Sequence, residues 1–220
     1  MDSNDSEQFQ KTLVNSLKGF GISPDDPRFD SLLSHYNLLV KFNRIINLTS
    51  LKDPSKIAYR LFADSLLPLS FLKSFKSPRI IDIGSGGGFP SVPLCLFAEV
   101  NASFTLVDSR KKAIFFLEEL ISSIPLSNIK PVHGHIADFK MDLMFHGKFD
   151  LAFNKAALKG DFFLAEIRPF LKTGGLALHW TKSQGTEQEA PEGWEIAEII
   201  GPPVNDSRFP GVVVVYEYKS

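Results

Sequence analysis

Residues 80–90 read IIDIGSGGGFP, with four glycines inside the five positions 84–88. The run "RIIDI", Arg79 to Ile83, leads straight into them and reads as a short buried strand. A glycine-rich turn after a strand lets a ligand press against backbone, because no Cβ intervenes. In open α/β sheets, ligands sit at the carboxyl ends of strands where the strand order reverses.

Downstream, strand and helix patterns alternate. "PSVPLCLFAEV" reads as a helix beginning near Pro90, with Pro93 tolerated close to its first turn. "SFTLVDS" is a second strand, and "RKKAIFFLEELISSI" a helix with Ala113, Leu117, Leu120, Ile121 and Ile124 facing inward. "NIKPVHG" and "KFDLAFN" supply a third and a fourth strand. "DFFLAEIRPFLKTGG" is expected to be a helix closed by its glycine pair, and "LALHWT" a fifth strand. Such alternation predicts a parallel, doubly wound sheet. "WEIAEII" and "GVVVVYEYK" have no helix between them and are expected to pair antiparallel.

Upstream the period is helical. Phe9, Leu13 and Leu17 are four apart, and Gly19 and Gly21 mark an end. Asp26-Pro27 and Asp53-Pro54 each open a further helical pattern, the second running through "DPSKIAYRLFADSLLPLSFL". The chain therefore divides near residue 79, into a helical extension (1–79) and an α/β domain (80–220).

The 220 residues are 44% hydrophobic and 22% charged, as in an ordinary globule. A single cysteine, Cys95, excludes an intramolecular disulfide framework. The polar, acidic start carries no secretory signal, and "GVVVVY" is too short to span a bilayer, so a cytoplasmic protein is expected. Net charge is −1, yet Arg28 to Arg79 holds nine basic and three acidic residues. That +6 stretch is either a docking surface for phosphates or a solvated helix face. His133 and His135 would share a strand face, but no third ligand stands at useful spacing and no metal is expected.

Two ligand classes compete for the glycine turn. Dinucleotides call for G-x-G-x-x-G. Gly84 and Gly86 fit that pattern, but its third position is Phe89. The pattern present is D-x-G-x-G-x-G, from Asp82, Gly84, Gly86 and Gly88, with Ser85 between. An acid so close to the turn would repel a pyrophosphate. It suits a ligand bearing an ammonium and a sulfonium, as in S-adenosylmethionine. Asp108 ends the second strand 24 residues after Gly84, followed by Ser109, and would accept ribose hydroxyls of either ligand class. After the third strand, Asp138 is either an acceptor for the adenine amino group or a solvated loop acid. Ile136 and Ala137 would border the ring edge.

The stretches "DIGSGGGFPSVPL" and "TLVDSRKKAIFFLEEL" resemble the RsmG (GidB) family of small-subunit ribosomal RNA guanine-N7 methyltransferases. The Gly88-Phe89-Pro90 step is more specific than a generic methyltransferase loop. Asn47-Leu48-Thr49 and Asp64-Ser65 match the family's N-L-T and D-S signatures. The resemblance spans roughly residues 30 to 217. It implies a class I methyltransferase fold, Rossmann-like and mostly parallel with an antiparallel C-terminal strand. It also implies S-adenosylmethionine as donor and a guanosine of 16S ribosomal RNA as target.

The chain departs from the family pattern in places. Asn154-Lys155-Ala156 stands where the family has Ser-Arg-Ala, keeping charge but losing the arginine fork. Ser183 follows Lys182 where the family has glycine, Leu61 replaces a histidine, and His135 replaces a loop arginine. Arg208 matches a family basic position. Guanine N7 carries an exposed lone pair and loses no proton on methylation, so no general base is expected. Lys155, Lys182 and Arg208 are the candidates for holding RNA phosphates or the guanine carbonyl, with Phe89 bordering the methyl site. Two other functions stay open. One is a non-catalytic RNA-binding or ribosome-assembly factor retaining the donor pocket, which Asn154 and Ser183 keep alive. The other is an NAD-dependent oxidoreductase, disfavoured by Phe89 and Asp82.

Overall fold

The computed structural model describes residues 3–182, 190–203, 209 and 211–219. Seven strands form one sheet: β1 (Arg79–Ile83), β2 (Ser103–Asp108), β3 (Ile129–His133), β4 (Phe149–Lys155), β5 (Leu171–Thr181), β6 (Trp194–Ile200) and β7 (Val212–Tyr218). Their order is β3-β2-β1-β4-β5-β7-β6. The first five are parallel, and β7 runs antiparallel to both β5 and β6. The order reverses between β1 and β4, so the crevice beyond Ile83 and Lys155 is where a ligand of this architecture belongs.

Helices cover both faces. On one lie α1 (Ser3–Leu17), α2 (Arg28–Ile46), α3 (Pro54–Ile57), α4 (Leu69–Leu72), α5 (Ser91–Phe97) and α6 (Lys111–Ser123), and on the other α7 (Gly160–Ile167). Phe9, Leu13 and Leu17 of α1 are buried in the same cluster as Phe62, Phe89 and Leu106. The helical extension and one face of the sheet therefore share a single core. A second cluster, containing Ile81, Ala152, Phe163, Ile167 and Val214, fills the other face.

Two expected helices are shorter than their patterns. Pro169 has no N–H to continue α7, so the chain tightens at Arg168–Phe170 and β5 begins at Leu171, through the glycine pair rather than after it. The register of β4 against β5 slips there, between Phe149 and Leu151. The pattern from 53 to 72 also breaks. Asp53 caps α3 as expected, its Oδ1 accepting the Lys56 N–H at 2.7 Å. Residues Ala58–Ala63 then form a π-helical turn, which a tight turn and Pro68 separate from α4.

Among the described residues, no helix is long and apolar enough to cross a membrane. Nor does any group of three His, Cys, Asp or Glu stand where a metal ion could be held.

Candidate active site

A cavity of about 550 Å³ opens at the switch point, within the range of small-ligand sites. The glycine loop (84–87), the end of β2 (Val107–Arg110), the turn after β3 (Gly134–Ile136) and the turn after β4 (Lys155–Leu158) form its walls. From the helical extension it receives Leu39, Leu48, Thr49, Ser50 and Leu61.

The glycines are required for different reasons. Gly84, Gly86 and Gly88 all have left-handed φ, of 70°, 53° and 86°, which L side chains disfavour. A Cβ on Gly84 would stand 2.3 Å from the Ala157 Cβ, and one on Gly88 2.9 Å from Val92 Cγ2. Those two positions press against protein. Gly86 instead faces the cavity edge, where a Cβ would meet the Arg110 guanidinium at 3.3 Å. Close approach to a ligand therefore concerns Gly86, whereas Gly88 does not line the cavity.

Asp108 is 4% exposed and organises the ribose corner. Its Oδ2 accepts the Gly86 N–H and its Oδ1 the Arg110 N–H, both at 2.9 Å. The Arg110 side chain adds two further bonds, from Nε at 3.1 Å and Nη2 at 3.2 Å. The sequence marked Asp108 for this corner. It missed Arg110, because nothing in "DSRKK" says that the arginine folds back.

Asp82 lies beneath the loop and does not reach the cavity. Its Oδ2 accepts the Ser91 hydroxyl at 2.7 Å, while its Oδ1 is buried without a partner. Burial pushes its carboxyl up to about 7, against the lowering effect of Ser91. Asp138 is exposed and accepts the His135 backbone N–H at 3.1 Å. Neither it nor Ala137 lines the cavity, whereas Ile136, Ser85 and Ser109 do.

Phe89 lines the cavity and is only 8% exposed. It stacks on His35 at 4.7 Å and meets the edge of Phe62 at 4.9 Å. His35 is wholly buried, and burial lowers its pKa to about 4, the bond to Gly87 acting the other way. The ring is therefore neutral. Its Nε2 lies 2.7 Å from the Gly87 carbonyl and donates to it, so Nδ1 is left unprotonated and without a partner.

Lys155 is held by the extension. Its ammonium pairs with Asp64 Oδ2 and donates to the Arg60 carbonyl at 3.0 Å. The π-helical turn makes this possible: the Asp64 N–H reaches back to the Tyr59 carbonyl, leaving that of Arg60 for Lys155. An α-helix would pair the Asp64 carbonyl with residue 68, which is a proline lacking the N–H. That carbonyl instead accepts the Trp180 indole N–H at 3.0 Å and the Leu67 N–H at 3.4 Å.

Asn154 is fully buried and braces the turn after β4. Its Oδ1 accepts the Ala157 and Leu158 N–H groups at 3.2 and 3.0 Å. Its Nδ2 donates to the Leu158 carbonyl at 2.9 Å and to His179 Nδ1 at 3.0 Å. Within that turn Ala156 is left-handed, with φ of 62°.

Lys182 is exposed at the end of β5 and does not line the cavity. Arg208 and Ser183 lie outside the described residues. The basic stretch 28–79 does not gather into one surface. Arg28 and Lys73 converge on Glu99, and Arg79 starts β1 at the opposite end of the sheet from the cavity.

Residues 28–199 match the family model described as rRNA small subunit methyltransferase G. The chain belongs to that family. The methyltransferase G proteins it resembles include "Ribosomal RNA small subunit methyltransferase G" of Dictyoglomus thermophilum, 35% identical over 194 residues, covering 88% of this chain and 78% of the relative. The Oenococcus oeni protein of the same name is 37% identical over 166 residues, covering 74% of this chain and 67% of the relative. Among solved structures, a Geobacter sulfurreducens methyltransferase aligns with TM-score 0.59 at 12% identity, covering 91% of this chain and 93% of that one. A SAM-dependent methyltransferase from Aquifex aeolicus aligns with TM-score 0.54 at 17% identity, covering 77% and 95%. The fold is thus that of S-adenosylmethionine-dependent methyltransferases. The cavity fits their donor: a buried carboxylate ends β2, the glycine loop lies beside it with its Gly86 N–H on that carboxylate, and apolar Ile136 also lines the cavity.

Proposed function

We propose that this protein transfers a methyl group from S-adenosylmethionine to N7 of a guanosine in 16S ribosomal RNA. One cavity carries this reading, because the carboxylate at the end of β2, Phe89 and Lys155 all line it. Asp108 and Ser109 take the ribose, Ser85 and Gly86 the amino-acid part of the donor, and Ile136 the adenine ring. The donor supplies an activated methyl group. Phe89 and Leu48 shape the apolar space beside it, and Lys155, held by Asp64 and the Arg60 carbonyl, borders the same cavity.

No residue has to remove a proton, because N7 attacks with a free lone pair. The protein's work is alignment, which is worth up to about 7–11 kcal/mol. His35 and Asn154 contribute by fixing the Gly87 carbonyl and the 155–158 turn. The helical extension, 1–79, completes the site rather than standing apart, since Asp64 holds Lys155. Lys182, exposed at the end of β5, contacts the RNA from that end, and Arg208 is a second candidate cation from the sequence alone. A cytoplasmic location and the small ribosomal subunit as partner follow from this substrate.

The test is mass spectrometry of 16S RNA from cells with and without the gene. The reading expects one 7-methylguanosine to disappear without the gene and to return on complementation. Unchanged methylation would leave a non-catalytic RNA-binding role as the better account.

A further inference from the structure

A second cavity, of about 620 Å³, lies beside the first and shares Leu39, Thr49 and Ser50 with it. Leu39, Val40, Leu51 and Ile57 give it an apolar floor, and Ile45, 77% exposed, stands at its edge. Arg44 and Lys52 also line it, and no Asp or Glu does. Both are exposed, and neither has a side-chain hydrogen bond or ion pair among the described residues.

The wall between the two cavities is braced. Asn43 closes a two-bond clamp on the Thr49 backbone, accepting its N–H and donating to its carbonyl, each at 2.8 Å. The Thr49 hydroxyl accepts the Leu51 N–H at 3.1 Å. Asn47 turns the chain with a left-handed φ of 51°.

An apolar floor beside two unpaired cations complements single-stranded RNA, which offers a flat base face between phosphates. We propose that this groove seats a nucleotide flanking the target guanosine. Its base lies on the Leu39–Ile57 floor, and its phosphates meet Arg44 and Lys52. The inference rests on the RNA-methylation reading above, since a target base in the first cavity places its neighbour at the shared wall.

The experiment uses the Arg44→Ala/Lys52→Ala double variant with undermethylated small subunits and with naked 16S RNA. Loss of two phosphate contacts should raise the KM for RNA about tenfold. It should also flatten the plot of log affinity against log salt by about 1.4, at roughly 0.7 per single-strand contact. Donor affinity should be unchanged, and Arg44→Lys/Lys52→Arg should restore most of the KM. In parallel, RNA carrying 4-thiouridine beside the target should crosslink to the tryptic peptide 45–52. Wild-type KM and salt slope in the double variant, with no crosslink in that peptide, would overturn the groove assignment. A defect on assembled subunits but not on naked RNA would overturn it too, in favour of a protein partner. Failure of the methylation reading is distinguishable, because wild-type protein would then transfer no methyl group to either substrate.

Discussion

Arg110 lays its guanidinium along the Asp108 carboxylate, with Nε 3.1 Å from Oδ1 and Nη2 3.2 Å from Oδ2. With the Gly86 and Arg110 backbone N–H groups, four donors occupy that carboxylate, about its full acceptor capacity. A ribose diol accepted by Asp108 must displace the side-chain fork. Arg110→Ala should therefore tighten donor binding severalfold, since a half-exposed ion pair is worth about 0.2–1 kcal/mol. Asp108→Asn should weaken it by about 1.5–3 kcal/mol. Titration calorimetry with S-adenosylmethionine checks both. Weaker binding by Arg110→Ala would mean that the guanidinium contacts the donor itself.

His35 and Asp82 should give opposite pH dependences of stability. The pKa of His35 is depressed from 6.5 to about 4, so its contribution is present above pH 6.5 and is lost as pH falls toward 4. That of Asp82 is raised from 3.8 to about 7, so its contribution is present below pH 4 and is lost as pH rises toward 7. Each is on the order of 3–4 kcal/mol, and between pH 4 and 6.5 they oppose. Urea unfolding of Asp82→Asn and wild type across that range tests this. The stability of the variant relative to wild type should climb with pH; a constant difference would remove Asp82 as a buried, protonating acid.

Asp64→Ala should destabilise the protein by about 3–5 kcal/mol, because it leaves the Lys155 ammonium buried without its carboxylate. Lys155→Met should cost stability of the same order, because it leaves the Asp64 carboxylate buried without its cation, and in addition most of the methyl transfer, with donor affinity nearly intact. Thermal unfolding and donor titration on both variants separate the two effects. Weakened donor binding in Lys155→Met would place the lysine at the donor rather than at the RNA.

Gly84→Ala should be more damaging than Gly86→Ala. Both force a left-handed φ, at a cost of about 1–2 kcal/mol, but only at Gly84 does the new methyl group overlap a rigid neighbour, Ala157 at 2.3 Å. Equal melting temperatures for the two variants would contradict the packing assigned to the loop.

Much of this site was legible because it is local. The strand RIIDI, the glycines after it and Asp108 at the end of the next strand are placed by period and spacing alone. What was hidden depends on distant pairing. Asp64 and Lys155 are 91 residues apart, and neither carries a local sign of the other. The helical pattern through residues 53–72 gave no hint of its π-helical turn, because the Arg60 carbonyl that the turn frees is claimed from outside by Lys155. Asp82 was read from its motif as facing the ligand. Strand alternation turns it inward to Ser91, whose partnership appears only once α5 is docked. The +6 stretch is divided in the structure, with Arg28 and Lys73 at Glu99 and Arg79 at the start of β1, because charge along a chain does not set which end of a sheet each side chain reaches.

The central claim is tested most directly by methyl transfer in vitro. Wild-type protein, tritiated S-adenosylmethionine and small subunits from cells lacking the gene are combined, and the labelled nucleotide is identified by digestion and mass spectrometry. The account predicts a single methyl group per particle, on N7 of guanosine, with Lys155→Met transferring far less while binding the donor. Donor binding without transfer to any ribosomal particle, or a methyl group found on another atom, would contradict it.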